Sequence, residues 1–234
     1  MEEFRLSKES ASSLRSFSEK NGLSLNTLLQ GAWSLLLHHY SDEDDVVYGA
    51  TRSCRRTAIE GAERMRRLIN DLLTYSRVEA QAREFGAVDM RAALEAALEY
   101  LRASIEESQA EVYVGELPTV LADEVQMKQL LSNLIANAIK FRGSASPAVD
   151  VSFSERGNEL VFSVRDNGIG IEPKHLPSLF RMFQRLHTRD EYPGTGIGLA
   201  ISKKIVERHG GKIWAESDGV SGSTFLFTLP KKQD

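Results

Sequence analysis

The spacing of apolar positions changes several times along the chain, and each change predicts an element. Residues 8–20 are weakly amphipathic, with Leu14 and Phe17 apolar, and close on Asn21-Gly22, a helix stop. Ser24 caps a second predicted helix through about His39. Its Leu25, Leu28, Leu29, Ala32, Trp33, Leu35, Leu36 and Leu37 cover most of the circumference near its end, so it must be buried against something. The acidic run 42–45 breaks it, and Val46-Val47-Tyr48 reads as a short strand. From Arg56 the register changes. Ile59, Ala62, Met65, Leu68, Ile69, Leu72, Leu73 and Val78 recur at spacings of three and four, predicting a helix from about Thr57 to Ala80. Arg64, Arg66 and Arg67 lie off that seam, and a single stripe suits packing against another helix, in this chain or in a second copy.

Asp89 can cap a third long helix carrying Ala92, Leu94, Ala97, Leu98, Leu101 and Ile105. Strands are predicted at Glu111–Val114 and Thr119–Leu121, bracketing the turn around Pro118, then a helix over about Asp123–Phe141. Strands near Ala148–Ser154 and Leu160–Arg165 follow, then an aperiodic segment Lys174–Arg189, a helix from about Gly196 to His209, and closing strands Lys212–Ala215 and Ser223–Leu229. Segregated helices and mostly antiparallel strands make this part α+β, with helices layered on one face of a mixed sheet. Residues 1–56, 57–84 and 85–234 read as three successive regions.

Composition narrows the classes. Hydrophobic content of 41% with 26% charged residues is that of an ordinary globular chain, and a net charge of −4 argues against a general nucleic-acid or anionic-membrane binder. No apolar run approaches the roughly 20 residues that span a bilayer, and the start lacks a signal-peptide shape. Cys54 is the only cysteine, which excludes an internal disulfide and a cysteine zinc cluster. The expectation is a cytoplasmic protein.

Candidate chemistry gathers around Arg165-Asp166-Asn167-Gly168-Ile169-Gly170-Ile171, where a half-buried strand ends on a carboxylate followed by glycines. Glycine lets a ligand approach bare backbone, and Asp166 sets one strong acceptor there, suited to the exocyclic amine of a purine. Asp-Asn-Gly is also good hairpin-turn chemistry, so the stretch alone leaves both readings open. Asn133 and Asn137, four apart on an otherwise apolar helix, share a face with Phe141 beside Lys140. Amide oxygens are hard ligands suited to Mg²⁺, and Lys140 adds a point charge for a phosphate. Gly194-Thr195-Gly196-Ile197-Gly198-Leu199 leads straight into a helix, whose free amides form a natural phosphate cradle, although the motif alone is weak. Gly222-Ser223-Thr224 opens the last strand, where a small hydroxyl could reach a base edge or simply end a hairpin.

Asn133/Asn137/Lys140/Phe141, Asp166-x-Gly168-x-Gly170, Phe180/Phe183, Gly194-x-Gly196-x-Gly198 and Gly222-x-Thr224 resemble, in order and spacing, the five boxes of sensor histidine kinases. The run 183–189 with 192–194 is similar to kinases attached to bacterial phytochromes. The resemblance covers about residues 56–230. It implies a GHKL (Bergerat-type) α/β sandwich, preceded by a long-helix dimerisation region, that binds ATP with Mg²⁺. By that resemblance Asn137 holds Mg²⁺, and Asn133 and Lys140 stand near the triphosphate. Asp166 reads the adenine amine, and Gly168, Gly170, Ile171 and Thr224 border the base. Gly196 and Gly198 meet the phosphates, Gly194, Thr195 and Leu199 belong to the same cofactor-binding set, and Arg185, in a mobile lid from about Phe183 to Gly194, contacts the γ-phosphate.

Residues 4–56 resemble part of the condensation domain of nonribosomal peptide synthetases, in Gly22–Leu29, Gly31–Leu37 and the run 40–49, without that family's catalytic His-His-x-x-x-Asp-Gly motif. The kinases carry a phosphoacceptor His box ahead of the region that Arg64–Val78 resembles. None of His38, His39, His175, His187 and His209 has its flanking acid and Arg-x-Pro. The chain thus reads as a fusion near residues 54–57. Three functions stay open: transfer of the γ-phosphoryl group to a histidine of a partner or parent chain, nucleotide binding without transfer, and an ATPase doing conformational work. A response regulator or a trans phosphoacceptor domain is the partner implied. Pairing of helices 25–39 and 57–80 as a hairpin, two copies of which form a four-helix bundle, predicts a homodimer by light scattering at micromolar concentration; a monomer would overturn it.

Overall fold

A computed structural model describes residues 15–24, 26–28, 30–32, 55–80, 84–186, 192 and 194–231. Two compact units divide the chain, Met1–Asn70 and Asp71–Asp234.

In the first unit, residues 15–20 are helical and stop as their sequence requires. Gly22 takes φ +58, and the Leu23 N–H closes back on the Ser18 carbonyl at 2.9 Å. Ser24 then caps the next helical turn by accepting from the Thr27 N–H at 3.0 Å. The expected Val46–Tyr48 strand and the end of the Leu25–His39 helix lie outside the described residues. Helix α1, Arg55–Ala80, follows, and the boundary between the units falls within it. Gly31 lies against it: a Cβ at Gly31 would meet Met65 Cε at 2.2 Å. Of the predicted apolar seam, Met65, Leu68 and Val78 are buried, while Leu72 and Leu73 are exposed.

The second unit is a sheet with helices on one side. Strand β1, Gly86–Asp89, runs into helix α2, Met90–Tyr100, whose cap is Asp89, accepting from the Arg91 N–H at 2.8 Å. The helix expected through Ile105 is broken at Leu101 (φ −94, ψ 4) and resumes as α3, Arg102–Ser108. Strands β2 (Glu111–Val114) and β3 (Thr119–Ala122) flank the Pro118 turn but do not pair. β3 joins β1 in a two-stranded sheet, and β2 joins the main one. Helix α4, Glu124–Lys140, leads to β4 (Ala148–Arg156) and β5 (Glu159–Asp166). A 3₁₀ turn over Pro173–Ser178 occupies the aperiodic stretch, followed by helix α5, Gly198–Arg208, and strands β6 (Ile213–Glu216) and β7 (Thr224–Pro230). The sheet order is β2-β4-β5-β7-β6, with only the β2–β4 pair parallel. The predicted α+β arrangement with a mixed sheet is what forms.

Period-two alternation sends Phe162 and Val164 of β5, and Phe225, Phe227 and Leu229 of β7, to one buried face. The rings of Phe162 and Phe227 stack at 4.9 Å, each at most 1% exposed, which adds about 0.5–1.5 kcal/mol beyond the area they bury. α4 covers this face with Met127, Leu130, Leu131, Leu134 and Ile135, and packs between α2 and α5.

One polar cluster interrupts that core. Asp123 caps α4 and pairs with Arg208 at 3.1 Å; Arg208 also donates to Gln126 at 2.7 Å, and Gln126 donates to the Val78 carbonyl at 2.8 Å. His209, fully buried, accepts from the Asp123 N–H through Nε2 at 3.0 Å, while its Nδ1 lies 2.7 Å from the Ile205 carbonyl and so carries the proton. Both ring nitrogens are used only while the ring is neutral. Among the described residues no helix is long and apolar enough to cross a membrane.

Burial holds the His209 pKa below its ordinary value; the Arg208 charge pushes the same way, and the Ile205 carbonyl and Asp123 oppose. The unfolded chain therefore binds more protons between the folded and the unfolded pKa, so stability is lost as pH falls through about 6.5. The unfolding midpoint should drop across that window in the wild type, and His209→Gln, which stays neutral, should flatten that part of the curve.

Candidate functional site

The site begins at the end of β5. Alternation places Asp166 on the same face as Phe162 and Val164, under the helices, where it is 8% exposed. A carboxylate so placed needs donors. Oδ1 accepts from the Gly168 N–H at 2.8 Å and the Ser223 N–H at 3.1 Å, and among the described residues none donates to Oδ2. Burial raises the Asp166 pKa, and the two N–H groups pull it back. The turn is tight. A Cβ at Gly168 would lie 2.3 Å from the Phe141 carbonyl, which the Ile169 N–H reaches at 3.0 Å, so the turn is held against the end of α4.

α4 supplies the next group through its four-residue spacing. Asn133 donates to the Gly198 carbonyl at 3.2 Å, tying α4 to the start of α5. The Asn137 side chain has no hydrogen-bond partner among the described residues. Lys140 Nζ stands 4.3 Å from the centroid of Phe141, and burial, helped by the Arg185 charge, lowers its pKa to about 8. Across from it the Arg185 guanidinium donates to the Tyr192 and Gly194 carbonyls, both at 2.8 Å, while the Tyr192 ring sits 5.0 Å from that of Phe141.

These groups surround a cavity of about 290 Å³. Asn133, Asn137, Lys140, Asp166, Gly170, Ile171, Arg185, Gly194, Thr195, Gly196, Gly198 and Leu199 all line it. Gly168 and Thr224, both expected at the base, do not. Gly168 stands behind Asp166 and supports its carboxylate. In β7 the period of two turns Thr224 away and brings its neighbours Ser223 and Phe225 to the cavity instead, with Ser223 buried and bonded to Asp166 through its backbone. Arg185 lines the cavity with two of its donors committed to carbonyls near the glycine turn.

Sequence reasoning also missed Gln129, Leu179, Asp71 and Thr74. Gln129 was findable, one helical turn before Asn133. Asp71 and Thr74 had no local signal, since they lie on α1, far from every glycine box. One end of the cavity is an apolar slot with a buried free acceptor; the other carries Lys140, Arg185 and a glycine turn at the start of α5. That pairing fits a flat, amine-bearing base with a polyanionic tail.

Residues 122–233 match the family described as histidine kinase-, DNA gyrase B-, and HSP90-like ATPase. Residues 122–233 are thus an ATPase domain of that family, similar to the ATP-binding domains of histidine kinases. Cyanobacterial phytochrome A of Nostoc sp. is 51% identical over 173 residues, 74% of this chain and 23% of that protein. Among solved structures, the mycobacterial sensor histidine kinase MprB is 26% identical with a TM-score of 0.56, covering 64% of this chain and 99% of that one. Full-length ShkA, crystallised with AMPPNP, is 27% identical with a TM-score of 0.61, covering 95% of this chain and 46% of that one. The chain thus spans about a quarter of the phytochrome it matches.

Lys140 offers a check on this domain. With its pKa near 8, it must take up a proton to face a phosphate at higher pH. ATP affinity should therefore fall as pH rises from 7 to 9, approaching about tenfold per unit above the pKa. Lys140→Met should bind more weakly at pH 7 and lose that slope, as read by calorimetric titration.

Proposed function

We propose that this chain binds ATP with Mg²⁺ and supplies the catalytic half of a protein-histidine kinase. The observation that carries the reading is the free Oδ2 of buried Asp166, set in the apolar end of a cavity whose other end is cationic and rich in glycine. Oδ2 accepts the adenine amine. Gly170 and Ile171 wall the base, while Lys140, Thr195 and the start of α5 meet the phosphates. The Asn137 amide, a hard oxygen donor without a hydrogen-bond partner among the described residues, would hold Mg²⁺, which would supply positive charge to the phosphates during transfer. Asn133 positions Gly198 rather than the metal. Arg185 holds the turn at Gly194 in place through two of its five N–H donors.

In the transfer, a histidine nitrogen of an acceptor domain attacks the γ-phosphorus, a P–N bond forms, the β–γ bridging P–O bond breaks and ADP leaves. The acceptor lies on a partner or parent chain. His209 has both ring nitrogens engaged in the core, and His38, His39 and His187 lie outside the described residues. Homodimerisation through helices 25–39 and 57–80 and a response regulator as phosphate recipient belong to this reading. So does a junction near residues 54–57 joining a condensation-like segment to the kinase part. The burial of His209 favours a second reading for the chain in isolation, an ATP-binding module that transfers nothing to itself.

The test is a titration with a fluorescent ATP analogue, beside incubation with γ-³²P-ATP and Mg²⁺. Asp166→Asn turns an N–H₂ toward the adenine amine and should weaken binding about 10- to 100-fold. Asn137→Ala should weaken only the Mg²⁺-dependent part. Acid-labile label on an added histidine acceptor domain supports the kinase; label on this chain alone makes it its own acceptor; no nucleotide binding at all defeats the reading.

A further inference from the structure

Thr195, the residue between Gly194 and Gly196, donates its hydroxyl to the Asp71 carboxylate at 2.5 Å. Asp71 comes from α1, and it lines the same cavity as Lys140 and Arg185. A negative charge therefore stands at the end of the cavity where the polyphosphate goes. Two physical conflicts follow. A hydroxyl carries one proton, so Thr195 can donate to Asp71 or to a phosphate oxygen, but not to both. A carboxylate beside a polyanion also opposes its binding, most strongly in a partly buried site with no cation between them.

We propose that Asp71 is an affinity-setting residue of the nucleotide site, one that discriminates among nucleotides by the charge of their phosphates. Its carboxylate holds Thr195, and polyphosphate binding exchanges the Thr195–Asp71 bond for a Thr195–phosphate bond. The exchange frees Asp71 from the glycine turn, so phosphate occupancy and the Thr195–Asp71 bond become alternatives. This rests on the reading of the cavity as an ATP site. Adenosine, which carries no phosphate, is blind to Asp71.

The experiment compares the full wild-type chain with Asp71→Asn and Asp71→Ala, measuring displacement of a fluorescent ATP analogue by ATP, ADP and adenosine, in EDTA and in Mg²⁺. Asn keeps an acceptor for Thr195 and removes only the charge. In EDTA, Asp71→Asn should tighten ATP about five- to tenfold and ADP by less, with adenosine unchanged; Mg²⁺ should shrink the gain, because the cation screens the carboxylate. Asp71→Ala, which also frees the Thr195 hydroxyl, should gain at least as much. An ATP affinity that is unchanged or lower in both variants overturns the inference while leaving the ATP site intact. An equal gain for adenosine and ATP also overturns it, since that is the mark of a structural change. A wild type and variants that bind no adenine nucleotide refute the ATP site, and the inference with it.

Discussion

A buried carboxylate with too few donors organises this domain. Asp166 must be under the helices because β5 alternates, and once there it must be given N–H groups. Gly168 and Ser223 give them, one from the turn after β5 and one from the residue before β7. That requirement shapes both flanks. At Gly222 (φ +92) a Cβ would lie 2.0 Å from the Asp166 carbonyl, so glycine alone lets the start of β7 approach. On the other flank the turn rests against Phe141, at the end of the helix that carries Asn133, Asn137 and Lys140. The oxygen left over, Oδ2, receives no donor among the described residues.

Both helices beside the cavity are pinned at both ends. At the cavity, Asn133 holds the first carbonyl of α5; away from it, Asp123, Gln126, Arg208 and His209 join the start of α4 to the end of α5. A buried ion pair adds little net stability over a well-packed apolar pair, because desolvation offsets the attraction. Its effect here is on geometry, since each partner has one arrangement that satisfies its neighbours. Gln126 extends the cluster to the Val78 carbonyl near the end of α1. The domain thus holds that stretch of helix both away from the cavity, at Val78, and at the cavity, through Asp71.

Much of the fold was legible because its signals were local. The cap at Asp89, the Asn21-Gly22 stop and the alternation in β5 come from neighbouring residues, and the elements lie within a few positions of where those residues predict them. Failures came where a local pattern had two outcomes. The helix through Ile105 kept its apolar period but kinked at Leu101, and β2 and β3 flanked a proline turn yet found different partners. β1, only four residues long, carried no period to read.

The sequence by itself determined which chemistry was available: a carboxylate at a strand end, two amides and a lysine on one helix face, and a glycine turn opening a helix. Each depends on contacts within a few residues, which is why spacing alone revealed it. Which neighbour faced the cavity, Ser223 rather than Thr224, was decided by the register of β7 against β5. That Asp71 would meet Thr195 was decided only when the chain folded, because the two are 124 positions apart and nothing in either stretch specifies the other. Tertiary structure had the last word there because a long-range hydrogen bond leaves no period in the sequence.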